Sequence, residues 1–448
     1  MTRRRTRSVQ PERSAARSLL RRALTWALLS AVARSRRPTR LLARPFPGTT
    51  SAVAIVPLTV ASVFVSEFPM HALLAQVVST ARLLRRGALR SPSGLAGLLV
   101  ALVAWLRLLA ARRDALLTAD ILEESLRTGL GPDYRDHFPI GEPADPMSLR
   151  DIWFPKFTER RRYLQHEDLS YGDAGFRNNL DIWRRRDLPR DGRAPVLIQI
   201  HGSAWVKGSK RGQGYPLMTR MAERGWVCVA INYSLAPAAH WPAHIVDVKK
   251  AIAWVKREIA DYGGDPDFIA ITGGSAGGHL SSLAALTNND PVYQPGFESA
   301  DTSVRAAVPL YGVYDLLDRA GDSPPEQEQF LTDIVIGAAQ HEAYDIWDQG
   351  SPLSQIRSDA PPFFVIHGSI DTATNHEQAH AFATALGRMS GNPVAYAQLP
   401  GAQHCFDLLP SIRTAATAQA IDRFLTYVRE QHHEYVWESD ADPRAHRV

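Results

Sequence analysis

Residues 268–286 read FIAITGGSAGGHLSSLAAL, and they constrain the fold more than any other stretch of the chain. An apolar run with β-branched residues (268–272) predicts a buried strand, Gly273 and Gly274 break it, and Leu280, Leu283, Ala284 and Leu286 continue at helical spacing. Ser275 stands at the corner. Gly273, Ser275 and Gly277 fit the pattern G-x-S-x-G, in which a strained turn exposes the hydroxyl and small neighbours leave room for backbone and helix. A glycine-rich turn without chemistry carries the same local pattern, so the reading depends on whether the chain also supplies a base, an acid and an oxyanion site.

The surrounding order of elements predicts an α/β fold, a mainly parallel sheet with helices on both faces. Strands are expected at 196–200, 227–232, 268–272, 306–310, 363–367 and 394–399, preceded by an antiparallel pair at 163–170 and 180–183. The clearest helix is 246–261, whose Val248, Ala251, Ile252, Val255 and Ile259 form one apolar face. Residues 313–350 carry acids and prolines without clear alternation and read as a lid or insertion over the site.

The chemistry-bearing residues fall at the ends of these strands. After the first parallel strand come His201, Gly202, Ser203, Ala204 and Trp205. Acyl transfer builds negative charge on a carbonyl oxygen, and backbone N–H groups of small residues can reach that oxygen. Ser203, Ala204 and Ala276, the residue after the serine, are therefore the expected oxyanion donors. His201 precedes the donors and reads as a turn histidine that shapes the loop. Asp371 lies in the loop after strand 363–367, and His404 lies in the loop after the last strand. The order Ser275, Asp371, His404 is that of an α/β-hydrolase. His404 would take the serine proton, and Asp371 would orient the imidazole. Asp315, Asp318 and Asp407 are rival acids, less well placed.

The N-terminal part has a different character. Residues 1–44 contain thirteen arginines and one glutamate, so this arm carries +12 of a net +5 and leaves −7 on the rest. Arginines beside apolar segments with little aromatic interleaving point to anionic lipid and not to nucleic acid. Residues 19–33 read as an amphipathic helix at a membrane surface. Residues 52–65 and 94–111 are apolar runs near the length needed to span a bilayer, although Pro57 would kink the first. Leu109, Leu116, Leu117, Ile121, Leu122 and Leu126 extend the second as a helical rod. The expected division is a membrane-associated region 1–130, a linker 131–150, a catalytic domain 151–435 and a polar tail 436–448. Arginine placement puts the catalytic domain on the cytoplasmic side. The two cysteines, Cys228 and Cys405, lie far apart in the sequence and suggest neither a disulfide framework nor a metal cluster.

The segments HGSAW (201–205), INYSLAP (231–237), GGDPDFIAITGGSAGGHL (263–280), HGSID (367–371) and LPGAQHCFD (399–407) resemble the hormone-sensitive-lipase-like and feruloyl-esterase-like bacterial carboxylesterases over residues 160–430. The resemblance implies ester hydrolysis through an acyl-serine, without metal or cofactor, on a small-molecule or lipid ester. It assigns Ser275, Asp371 and His404 to the triad and Ser203, Ala204 and Ala276 to the oxyanion hole. An amidase, a formamidase, an acyltransferase or a non-catalytic binding protein would share the fold. This chain departs from the family pattern at Ser203, where a glycine is usual, at Ser234, where arginine is common, and at Ala373, Thr374 and Asn375 after the acid.

Overall fold

The computed structural model describes residues 9–32, 34, 63–137, 160–321, 323 and 325–441. The expected apolar run 52–65 up to residue 62, most of the linker 131–150, the start of the catalytic region and residues 442–448 lie outside these.

Eight strands form one sheet: β1 Leu164–Ser170, β2 Asn179–Trp183, β3 Ala194–Ile200, β4 Val227–Ile231, β5 Gly264–Gly274, β6 Ala306–Leu310, β7 Phe363–Gly368 and β8 Val394–Leu399. Their order is β1-β2-β4-β3-β5-β6-β7-β8. β1 and β2 pair antiparallel, β2 joins β4 antiparallel, and every later pairing is parallel. Strands buried on both faces read as continuous apolar runs, because successive side chains alternate between two covered sides. In β3, Val196, Ile198 and Ile200 enter the core on one face, while Leu197 enters the core on the other.

The helices that bear on the site are α1 Val9–Val32, α2 Pro69–Arg85, α3 Pro92–Leu130, α4 Tyr215–Glu223, α5 Ala243–Glu258, α6 Ala276–Leu286, α7 His376–Met389 and α8 Ile412–Ala441. α5 and α6 cover one face through Ile245, Val248, Ile252, Leu280 and Leu283. α4 and α8 cover the other through Met218, Met221, Ile421 and Phe424. The predicted helix 246–261 begins earlier, at Ala243, and passes after Glu258 into a 3-10 turn. β5 extends beyond its apolar run at both ends, because Gly264 pairs with Ala194 of β3 and Gly273 and Gly274 pair with Ile200 of β3 and Leu310 of β6.

α3 joins two environments. Its C-terminal Leu122 and Leu126 share the core of α4 and α8, and burying one leucine contributes about 1.5–3 kcal/mol. Toward its start, small residues (Gly94, Gly97, Ala101, Ala104) face α1. A Cβ on Gly97 would lie 2.8 Å from the backbone nitrogen of Leu20, so only glycine permits that approach. The opposite side of α3 exposes Leu95, Leu99, Leu102, Val103, Leu106, Leu109, Leu116 and Leu117, and α2 exposes Leu74, Val77 and Val78.

Contacts along the three helices fix their directions. Glu12 of α1 pairs with Arg90, at the turn between α2 and α3, and Arg22 donates to Ser79 of α2 at 2.8 Å. Farther along, Arg107 of α3 donates to the carbonyl of Ala27 at 3.1 Å, and Arg34 meets Asp114 at 2.8 Å. α1 and α3 therefore run parallel and in direct contact, with α2 antiparallel alongside them. The end of this bundle that carries Asp114 and Phe68 packs on the hydrolase.

Candidate active site

β5 delivers Ser275 at its C-terminal end. The serine has φ 59° and ψ −121°, a conformation that side chains other than glycine rarely adopt. Its N–H is anchored on the carbonyl of Leu310 in the neighbouring β6 at 3.0 Å. The flanking glycines are sterically required. A Cβ on Gly277 would sit 2.2 Å from the carbonyl oxygen of Ile200, and one on Gly273 would sit 2.6 Å from that of Gly277. The hydroxyl therefore stands clear of its own helix. Ser281 and Ser282, by contrast, are buried and donate to the carbonyl of Gly278.

The loops after β7 and β8 bring Asp371 and His404 to the same edge of the sheet. His404 Nε2 lies 2.9 Å from Ser275 Oγ, and its Nδ1 lies 2.8 Å from Asp371 Oδ2. A carboxylate only accepts, so Nδ1 carries the proton and Nε2 accepts from the serine hydroxyl. Asp371 is tightly held. It accepts from the N–H groups of Ala373 (2.8 Å) and Thr374 (2.9 Å), from Thr374 Oγ1 (3.1 Å), and from His367 Nε2 at 3.3 Å.

The electrostatics follow from this enclosure. Burial alone would raise the Asp371 pKa, but the facing His404 and the hydrogen bonds from His367 and His404 hold it well below the carboxylate range. Burial alone would lower that of His404, yet the Asp371 carboxylate raises it well above the ordinary histidine value. The pair thus favours the charged imidazolium, the state a base reaches on accepting a proton.

Ser203 and Ala204 line the same cavity as Ser275 and His404. Ser203, Ala204 and Trp205 have φ of 82°, 54° and 60°, three successive left-handed residues with side chains. Each such residue costs roughly 1–2 kcal/mol in that conformation. Gln213 stabilises the turn, accepting from Gly202 N–H at 2.6 Å and donating to Ser203 Oγ at 3.2 Å. The unexpected serine side chain is thus tied to Gln213. Gly202 packs so closely that a Cβ there would lie 2.5 Å from the carbonyl of Gly274. Ala276 is buried as the first residue of α6. His201 stays behind the loop, stacked on Tyr233 with ring centroids 4.3 Å apart and its Nδ1 2.9 Å from the carbonyl of Gly202. Burial lowers its pKa to about 4, so it is neutral.

The rival acids are engaged elsewhere. Asp315 pairs with Arg319 at 2.6 Å, Asp318 accepts from Ser323 N–H at 3.0 Å, and Asp407 accepts from the Tyr311 hydroxyl. Ser234, where arginine was expected from the resemblance, donates its N–H to Asp247 at 2.9 Å. Asn375 caps α7 by accepting from Glu377 N–H at 2.9 Å, so the departures after the acid serve the loop and the helix start. Gln213 carries no signal in local sequence, because it meets Gly202 and Ser203 only in the folded loop. The insertion 313–350 supplies Val313, Glu326, Gln327, Phe330 and Leu331 to the wall of a cavity of about 510 Å³.

The sheet order and the serine turn after β5 define the α/β-hydrolase class. Within that class the chain belongs to the carboxylic ester hydrolases. The probable carboxylic ester hydrolase LipM of Mycobacterium tuberculosis is 48% identical over 387 residues, 82% of this chain and 86% of that protein. The esterase LipQ of the same organism is 50% identical over 310 residues, 68% of this chain and 73% of that protein. The family BD-FAE matches residues 180–386. Among solved structures, Thermogutta terrifontis esterase 2 phosphonylated by sarin superposes with a TM-score of 0.51 at 26% identity, covering 61% of this chain and 96% of that one. Among the described residues, no group of three or more His, Cys, Asp or Glu side chains is arranged to hold a metal ion.

Proposed function

We propose that the chain hydrolyses carboxylic esters of short to medium acyl length, or lipid-like esters, in two steps through an acyl-serine on Ser275. The observation that carries this reading is the unbroken hydrogen-bonded line from Ser275 through His404 to Asp371 at the wall of an apolar cavity. His404 Nε2 takes the hydroxyl proton as Oγ attacks the ester carbonyl, and the Asp371 carboxylate stabilises the imidazolium. The N–H groups of Ser203, Ala204 and Ala276 receive the developing oxyanion, a contribution of roughly 2.7–4 kcal/mol per donor in such sites. The imidazolium then protonates the leaving alcohol, and water repeats the cycle to release the acid.

Trp205, Val313, Phe330 and Leu331 give the acyl chain an apolar wall. In an assay of the purified full chain against esters of increasing acyl length and the matched anilides, ester turnover should exceed anilide turnover by at least about 100-fold, a gap of roughly 2.7 kcal/mol. Equal rates on the anilides, or faster transfer to an added alcohol than to water, would replace the hydrolase reading with an amidase or acyltransferase.

We infer that region 1–130 binds membrane, 131–150 links, 151–435 catalyses and 436–448 forms the tail. Pro92–Leu130 is long and apolar enough to cross a bilayer, and its exposed stripe from Leu95 to Leu117 is about 33 Å long at 1.5 Å per residue. The parallel neighbour α1 carries Arg17, Arg21 and Arg22 exposed along its length, and arginines in mid-helix oppose burial in hydrocarbon. We infer that the bundle lies in the interface, leucines toward the acyl chains and arginines toward anionic headgroups, on the cytoplasmic side. The full chain should float with vesicles containing one-third phosphatidylserine and float several-fold less with phosphatidylcholine alone. A soluble chain indifferent to both vesicles overturns the attachment, and a phosphatase reporter placed after residue 150 that is active outside the cell overturns the sidedness.

A further inference from the structure

The helical bundle touches the hydrolase at the loop that carries His404. Glu67, at the end of the short helical segment 63–67 that precedes α2, is buried and forms an ion pair with Arg413 in the first turn of α8, each side chain about 1% exposed. Its second carboxylate oxygen accepts from Ser411 Oγ at 2.7 Å. Arg413 in turn donates to the carbonyl of Pro400 at 3.1 Å, and Ser66 Oγ lies 3.4 Å from the carbonyl of Gly401. Asp114 of α3 completes the clasp, since a Cβ on Gly401 would lie 2.7 Å from its carboxylate. Beyond the histidine, Thr414, whose N–H donates to Ser411 Oγ at 3.1 Å, holds its hydroxyl 2.6 Å from the carbonyl of Leu409 and 3.0 Å from that of Phe406. Both ends of the segment 400–406 are thus pinned by groups that converge on Glu67.

The charge balance explains why this link is strong. A guanidinium in the first turn of a long helix faces the positive end of the helix dipole, so a buried Arg413 is unfavourable there without a carboxylate beside it. Glu67 supplies that carboxylate from a segment 346 residues away. A general base loses effectiveness steeply when its nitrogen leaves hydrogen-bond reach of the nucleophile. His404 sits four residues from Pro400 and reaches Ser275 at 2.9 Å.

We propose that Glu67 is a positioning residue for the reaction: through Arg413 and Ser411 it seats the loop that holds His404 against Ser275. The inference rests on His404 being the base, as proposed above. It is tested in the full chain by titrating active serines with a phosphonate and measuring kcat and KM per titrated site on a small soluble ester. Glu67→Ala should lower kcat per site by about 10- to 100-fold, the scale of an ångström misplacement, with KM changed less than about threefold. Glu67→Gln, which keeps an acceptor for Arg413 but leaves its charge unbalanced, should give a kcat per site between that of the parent and that of Glu67→Ala. A purely structural role would lower the titrated fraction and leave kcat per site unchanged, and that result overturns the proposal. Should Glu67→Ala yield no folded protein, Ser411→Ala decides in the same way: a fall of kcat per site of about threefold or more at steady KM supports the proposal, and a parental kcat defeats it. His404→Ala is the control. Parental turnover in that variant rejects His404 as the base, whereas an inactive His404→Ala beside an unaffected Glu67→Ala rejects only the role of Glu67.

Discussion

Ser275→Ala is expected to lower kcat by about 10⁶, the loss seen when the nucleophile of a working triad is removed, while the chain keeps its fold. The hydroxyl makes its contact with His404 from a half-buried position at the edge of the sheet. Alanine leaves the turn intact, because the N–H bond to Leu310 and the flanking glycines do not involve the side chain. A phosphonate should label Ser275 in the parent and leave the variant unlabelled. Peptide mapping that finds the label on Ser281 or Ser282 would refute the assignment, and their burial and hydrogen bonds to Gly278 argue against it.

Asp371→Asn is expected to reduce kcat by about 10⁴, because an amide opposite Nδ1 favours the wrong imidazole tautomer. It should also move the pH profile. His404 is held protonated to higher pH than an ordinary imidazole, chiefly by the Asp371 carboxylate acting against burial. Activity requires the neutral form, so kcat/KM in the parent should rise with pH through a limb above the ordinary value of about 6.5. Removing the carboxylate lowers the histidine pKa and shifts that limb to lower pH, even as the rate falls. Asp315→Asn and Asp407→Asn should change kcat by less than about tenfold, since their partners are Arg319 and Tyr311. A larger loss from Asp315→Asn in a folded protein would transfer the acid role to that residue.

What could be read from the sequence, and what could not, divides by the range of the interactions. The parallel strands were legible because both faces are covered, which leaves runs such as 227–231 apolar at every position. The serine turn was legible because its requirements are local: two glycines and a strand end within five residues. Asp371 and His404 were legible as loop residues after apolar strands, although their 2.8 Å contact spans 33 residues. Gln213 escaped because it acts on a loop ten residues upstream through a turn with no periodic pattern. Glu67 and Arg413 escaped more completely. Each alone reads as a surface charge near an apolar segment, and only the folded chain shows that both are buried.

The pairing of Glu67 with Arg413 also has a consequence in time. A ribosome adding about 5–20 residues per second needs about 17 to 70 s to travel the 346 residues between them. For most of that interval the helices carrying the exposed leucines, which end at Leu130, have been made, and the half of the clasp that belongs to the C-terminal helix has not. If the bundle binds lipid as proposed, its exposed leucines are available to a bilayer well before Arg413 can seat the loop of His404, so attachment would precede activity in the synthesis of the chain.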